Sequence, residues 1–354
     1  MSDHHTTIRQ TNPHRLGGFL PLVRGFVAVT ALVAVFLVSL FINVADISPF
    51  DALRGDITEK HALYLWQQRI PRAIASVLAG ASLAIAGLVM QVLARNRFVS
   101  PSTVGTVESA GLGLVIVAII APGLPVWVKM VIAMVFALAG TAVFLIFLAQ
   151  IRLRDSPLVP LVGIMLGSVI GAAATFLALQ YNLLQMLSTW LFADFSAVLK
   201  GRYELLWVVA VLAVITYLVA NIFTIAGLGS DTATNLGINH TAAMWGGMSI
   251  VAAVSAAVVV TVGAIPFLGI VVPNVVTQVL GDNTRRNIPW VAFGGAMTVL
   301  VCDTVGRMLP DLLAFISTGE FNGVGEIPVG TVMGFIGGAV FLVLLLRGDS
   351  ARGR

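Results

Sequence analysis

Apolar residues fall in runs of roughly twenty, separated by short polar stretches, and that spacing predicts helices long enough to cross a bilayer. At about 1.5 Å of rise per residue, such a run spans a hydrocarbon core of about 30 Å. Barrel strands would be about half as long and would alternate apolar with polar positions, a pattern absent here. Ten spans follow. The first runs from about Phe26 to Val44, the second from Ile70 to Leu93, the third from Ser102 to Ile120, the fourth from Val126 to Ala149 and the fifth from Leu158 to Leu179. The sixth covers Glu204 to Ala226, the seventh Ala242 to Val262, the short eighth Pro266 to Leu280, the ninth Pro289 to Leu309 and the tenth Ile327 to Leu346. The expected fold is an all-α, polytopic transmembrane helical bundle.

Small residues punctuate the spans. Gly163, Gly167 and Gly171 repeat at four-residue intervals on one face, a seam for close helix packing, and Gly80, Gly87, Gly294 and Gly295 suit the same use. The stretch 263–273 holds two glycines and two prolines among apolar residues, which predicts a tight reversal followed by a short or irregular helix. Between spans five and six, Asn182 to Arg202 carries an apolar repeat that fits either a short helix across the mouth of a pathway or an interfacial loop anchored by Trp190.

Composition agrees with the pattern: 10% of residues are charged, against about a quarter in soluble domains, so lipid must serve as solvent. Arg9, Arg15 and Arg24, then Arg95 and Arg97, Arg152 and Arg154, Arg285 and Arg286, and finally Arg347, Arg352 and Arg354 all fall on one side of a ten-span chain. The opposite side carries Asp46, Asp51, Asp56, Glu59, Asp194, Asp311 and Glu320. Arginine and lysine are enriched in short cytoplasmic loops, so both termini are expected in the cytoplasm. The layout is a cytoplasmic tail over 1–20, the membrane domain over 21–347 and a second tail over 348–354. The run after Arg24 is too long for a cleavable signal and lacks a small-residue cleavage site, so it reads as the first span. The lone Cys302 excludes an internal disulfide and reads as a small buried hydrophobe.

A few polar residues need separate explanations. Glu108 in span three and Asp303 in span nine are each costly within lipid by about 2.5–3.5 kcal/mol on insertion scales. Asp303 and Arg307, four residues apart, share a helix face and suit an ion pair, while Arg307 also suits docking or a pathway role. Glu108 suits either a helix start, where the dipole favours an acid, or the lining of a path. Arg69 and Arg72 flank Pro71 on the acidic side, against the local charge rule, and read either as snorkelling side chains or as a receptor for an acidic partner. On the basic side, 227–240 is too polar to extend span six, and Ser230 and Asp231 suit the cap of a short helix that a motor subunit could use as a lever.

Chemistry is conspicuously missing. Lys60, Lys129 and Lys200 are the only lysines and none follows a glycine, so no phosphate-binding loop of the Gly-Lys-Ser/Thr kind exists. No metal-ligand spacing or acid/base constellation stands out. No catalytic residue, bound cofactor, metal or nucleic-acid partner is expected.

Several motifs in order resemble one family. They are Arg69-Ile-Pro-Arg72 followed by 79–91, then 96–105, Leu236-Gly-Ile238, Gly263 to Asn274, 281–286, Cys302 to Arg307 and Glu326 to Gly330. Together they resemble the permease subunits of ATP-binding-cassette importers for ferric siderophores, haem and vitamin B12, over residues 20 to 347. The resemblance implies a dimer of permeases in the bacterial cytoplasmic membrane, two ATPase subunits that use ATP and magnesium on the inner face, and an extracytoplasmic siderophore-binding protein outside. It places docking of that protein on Arg69, Arg72 and Arg307, and ATPase coupling on Gly229, Ala233, Leu236, Gly237, Ile238 and His240. Relatives often carry arginines after the coupling motif, where this chain has Asn239 and His240. Asn274, where many relatives have histidine, and 282–286 point to the ferric-siderophore branch, in which the second permease is either an identical copy or a paralogue. The segment 310–325 is assigned to the outer mouth. Rival readings are an ion-coupled carrier using Glu108 and Asp303, the same importer type carrying haem or vitamin B12, and a membrane scaffold that moves nothing.

Overall fold

Every one of the ten apolar runs is helical in the computed structural model, which describes residues 19–42, 59–150, 158–201, 203–316 and 325–352. We number the helices α1 (Phe19–Phe41), α2 (Glu59–Tyr64), α3 (Ile70–Ala94), α4 (Thr106–Ile120), α5 (Val126–Gln150), α6 (Leu158–Gln180) and α7 (Leu184–Leu191). They continue as α8 (Leu206–Leu218), α9 (Ala220–Ala226), α10 (Ser230–Asn235), α11 (His240–Thr261), α12 (Leu268–Leu280), α13 (Thr284–Ile316) and α14 (Val329–Arg352). Among the described residues six helical stretches are long and apolar enough to cross a membrane. The pair α8 and α9, bent by 63° at Val219, passes that test together, and α4, α12 and the Val329–Leu344 part of α14 are shorter apolar helical stretches. The chain is a multi-pass helical bundle.

Several boundaries depart from expectation: α1 begins at Phe19 rather than Phe26, and α14 runs on past Leu346 to Arg352. The second span begins far earlier than Ile70: α2, a π-helical turn over Leu65–Arg69 and α3 run on as one stretch from Glu59 to Ala94. Pro71 explains the π turn, because it has no N–H to give back to the carbonyl of Gln67. Ile70 instead bonds the carbonyl of Leu65, and the N–H of Lys200 takes the vacated Gln67 carbonyl at 3.0 Å. The ninth span also runs long at both ends, and residues 310–316 of the expected mouth loop continue α13 with Pro310 inside it. Residues 317–324 of that loop, Arg152 and Arg154, and the acidic residues Asp46, Asp51, Asp56 and Glu320 lie outside the described residues.

Helix α3 is the axis of the bundle. The most apolar window of the stretch containing it is 78% buried, against 11% for α1, and α3 packs on α13, α11, α12 and α8. Its glycines make this possible. A Cβ on Gly80 would run into the carbonyl of Gly295 on α13, and one on Gly87 into the backbone of Gly269 on α12. The glycine seam on α6 is used as its spacing suggests: Gly163 lies on the backbone at Thr103, and Gly167 on α4.

The reversal before α12 has Gly263 at φ 90 and Phe267 at φ 60. Its backbone groups are satisfied by the end of α7 and the chain after it: Ala264 N–H bonds Trp190 O at 3.0 Å, and Ala193 and Asp194 N–H bond Ala264 O and Val262 O at 3.1 and 2.9 Å. Irregular backbone at membrane depth needs such shelter. Over 182–201 the chain therefore forms a short helix whose following residues, including fully buried Ala193 and Phe195, plug into the bundle, rather than an interfacial loop; Arg202 lies outside the described residues.

Candidate functional site

Three groups of residues are arranged along α3 and the helices packed on it. The first gathers at its N-terminal end, where α1, the π turn, α13 and the segment before α14 meet. Arg72 donates to Asp303 Oδ1 from Nε (3.0 Å) and Nη2 (2.8 Å), and to Glu326 Oε2 from Nη1 (2.6 Å). Asp303 Oδ2 lies 3.1 Å from Arg307 Nη2, an ion-pair distance without hydrogen-bond geometry, so the i,i+4 pair that the spacing suggests is formed. Arg307 also donates to the carbonyl and hydroxyl of Ser39 on α1, at 2.9 and 2.6 Å. Arg69, in the π turn, lies over the Tyr64 ring at 5.2 Å.

Arg69, Arg72 and Arg307 thus come together, but none projects into solvent: their exposures are 4%, 5% and 1%. Asp303 is equally buried, whereas the Glu326 side chain is 35% exposed and forms the open edge of the cluster. Spacing could pair Asp303 with Arg307 but could not supply Arg72, Glu326 and Ser39, because those contacts join positions more than 200 residues apart. Only the unusual placement of two arginines beside a proline hinted at the site.

The second group sits at the other end of α3. Helix α10 is a single turn and a half, begun by Gly229 at φ 115. Ser230 and Asp231 lie inside its first turn rather than capping it, and the side-chain cap belongs instead to Asn239, whose Oδ1 accepts from Ala242 N–H at the start of α11. Ala233 is buried beneath α10, Leu236 stands 59% exposed at its end, Gly237 turns the chain at φ 78, and Ile238 packs back on the core ahead of His240. Gly227 lies against Val92, and Gly229 against Arg95, so this segment rests directly on the C-terminal end of α3. Arg97 pairs with Asp282 at 2.9 Å, which ties the loop after α3 to the start of α13 and gathers Arg95, Arg97, Arg285 and Arg286 at this end.

Between these ends is Glu108, the third residue of α4, where an acid suits the helix dipole. It also borders a cavity of about 320 Å³ walled by Ser102, Thr175, Leu187 and Pro266. Gly167 leaves room for the carboxyl, and Oε2 has no hydrogen-bond partner among the described residues. Asp303 and Glu108 therefore differ: one holds two guanidiniums, the other is buried against Gly167 at the border of the cavity with one oxygen unsatisfied among the described residues.

Among the described residues no group of His, Cys, Asp and Glu could hold a metal ion. The profile of the FecCD transport family matches residues 31–347, nearly the whole chain. The chain belongs to the FecCD transport family. It is a transport permease rather than an enzyme, and its relatives match about nine-tenths of its length. The petrobactin import system permease protein of Bacillus subtilis (strain 168) is 40% identical over 89% of this chain and 96% of its own. The corresponding petrobactin permease of Bacillus anthracis is 36% identical over 91% and 90%. A vitamin B12 import system permease of Yersinia pseudotuberculosis (serotype O:1b) is more distant, 30% identical over 92% and 94%. The fold matches a metal-chelate type ABC transporter in an inward-facing conformation with a TM-score of 0.72, at 21% identity over 91% of this chain and 97% of that one. In this FecCD chain α10 and the buried arginine cluster are separated by the length of α3, about 37 Å for its 25 residues.

Proposed function

We propose that the chain is the membrane permease of an ATP-driven importer that carries a ferric siderophore across the bacterial cytoplasmic membrane. It crosses ten times, with both ends in the cytoplasm, and pairs with a second permease around the pathway. Two ATPase subunits grip α10 and its flanks, and ATP and magnesium act in them, not here. An extracytoplasmic binding protein delivers the chelate to the end that carries Arg69, Arg72 and Arg307.

The observation that carries this reading is the course of α3, which joins the arginine cluster to the seat of α10 through a helix locked in place by backbone contacts at Gly80 and Gly87. Helix-to-helix contact at glycine leaves no soft side-chain layer to absorb displacement, so a force on α10 is passed to the opposite end. Because Arg72 already holds Glu326, a carboxylate of the binding protein docks by exchange: it displaces the half-exposed Glu326, while Asp303 keeps the guanidinium in place. Glu108 lines the chelate's path. The similarity to siderophore permeases, closer than to the vitamin B12 permease, supports the choice of substrate.

Purification in mild detergent, followed by identification of the bound subunits, tests the assembly. An ATPase that co-purifies, and is lost when Leu236 to Ile238 are replaced by polar residues, is expected. A chain that binds no ATPase under any condition contradicts the reading.

A further inference from the structure

The segment 227–240 contains no lysine or arginine. A cation stands against it nonetheless. Arg95 ends α3 in a left-handed conformation, φ 53, with its N–H shared between the carbonyls of Gln91 and Val92. Such a conformation costs a non-glycine residue about 1–2 kcal/mol, so the surrounding contacts must hold it. It turns the side chain toward α10: a Cβ on Gly229 would lie 3.3 Å from Arg95 Nη1. Arg95 is exposed and forms no ion pair among the described residues, whereas its neighbour Arg97 is already held by both oxygens of Asp282.

A cleft of about 330 Å³ opens beside Arg95, bounded by the ends of α3, α9, α12 and α13. Asn287 lines it, 0% exposed. Its Nδ2 donates to the carbonyl of Gly281, which fixes the amide and leaves Oδ1 with no partner. A buried acceptor without a donor is costly, by about 1–3 kcal/mol, and invites a ligand that supplies one. The cleft thus offers a cation at its rim and an acceptor on its wall. Leu228, 55% exposed, lines the same cleft, and Leu236, 59% exposed, stands at the end of α10, which begins beside Arg95. Apolar knobs beside a charged rim and a polar recess suit a protein segment better than a lipid headgroup, which would leave both leucines uncovered.

We propose that this cleft is a second seat for the ATPase subunit, in which a segment pairs a carboxylate with Arg95 and directs an N–H or O–H donor to Asn287 Oδ1. The inference rests on the importer reading and adds to it a charged contact supplied by α3 rather than by the coupling segment. Force from the ATPase then enters α3 directly at Arg95 as well as through Gly227 and Gly229.

The test measures affinity between the detergent-solubilised permease and the ATPase subunit that co-purifies with it. Arg95→Glu is expected to weaken binding about tenfold, as loss and reversal of an interfacial charge does. Arg95→Lys should stay within about twofold, and the deficit of Arg95→Glu should shrink near 1 M salt, where the screening length falls to about 3 Å. A monodisperse Arg95→Ala variant with intermediate affinity separates the charge effect from misfolding. Native affinity for Arg95→Glu at low salt overturns the proposal, as does a loss confined to binding of anionic lipid vesicles. Leu236→Asp identifies which idea has failed. If it abolishes ATPase binding while Arg95→Glu does not, only the second seat is wrong; if neither matters, the importer reading itself falls.

Discussion

Arg72 and Asp303 meet through two hydrogen bonds to one carboxylate oxygen, across helices α3 and α13. The pair is buried on both sides, with side-chain exposures of 6% and 0%. Removing one partner of a buried pair typically costs about 3–5 kcal/mol, because the other charge is left without compensation. Asp303→Asn, which strands Arg72 and Arg307 together, is therefore expected to lower the unfolding temperature in detergent markedly. Glu326→Gln, at the exposed edge, should cost no more than about 1 kcal/mol. Equal effects of the two substitutions would show that Asp303 is not the keystone of the cluster.

If docking proceeds by exchange at Arg72, then Glu326 competes with the binding protein for the same guanidinium. Glu326→Gln should tighten docking of the loaded binding protein severalfold at low salt, and Arg72→Glu should weaken it while leaving the protein in the membrane. Surface-immobilised permease titrated with binding protein reports both. Weaker docking on Glu326→Gln would mean that Glu326 is itself part of the receptor surface.

Close approach at glycine predicts a sharp contrast between positions. Gly87→Val drives a branched side chain into the backbone of Gly269 and should destabilise the protein by at least about 1–3 kcal/mol. Gly246→Ala on α11, where nothing lies within 4 Å of the added carbon, should change stability by about 1 kcal/mol or less. Thermal unfolding of the two variants side by side checks the packing of α3.

Glu108→Gln keeps the shape of the side chain and removes its capacity for charge. Because Glu108 borders the cavity and its Oε2 has no hydrogen-bond partner among the described residues, transport should slow severalfold while ATPase affinity is unchanged. Unaltered transport would reduce Glu108 to an acid at a helix start.

The length of the apolar runs was enough to place a helix on each expected span, although the helices themselves run from 13 residues in α12 to 33 in α13. What the pattern missed was decided by backbone chemistry or by contacts distant in sequence. The π turn at Leu65–Arg69 arises from one proline, yet its extension back to Glu59 leaves no mark in hydropathy because Gln67, Gln68 and Arg69 are polar. The break at Val219 is flanked by Leu218 and Ala220, neither of which signals a bend. The site was legible in part: the Asp303–Arg307 spacing foretold their pairing, and the polar 227–240 stretch foretold a short helix. The burial of Arg69 and Arg72 was not legible, because an arginine beside a span boundary looks the same whether a carboxylate waits across the bundle or not.

Uptake of ferric siderophore into vesicles holding the permease and its ATPase, with loaded binding protein on the opposite face, tests the energy source most directly. Accumulation that requires hydrolysable ATP, survives a proton uncoupler at constant ATP and disappears with Leu236→Asp is the predicted result. Uptake that persists without the ATPase, or collapses with the uncoupler while ATP is held constant, contradicts it.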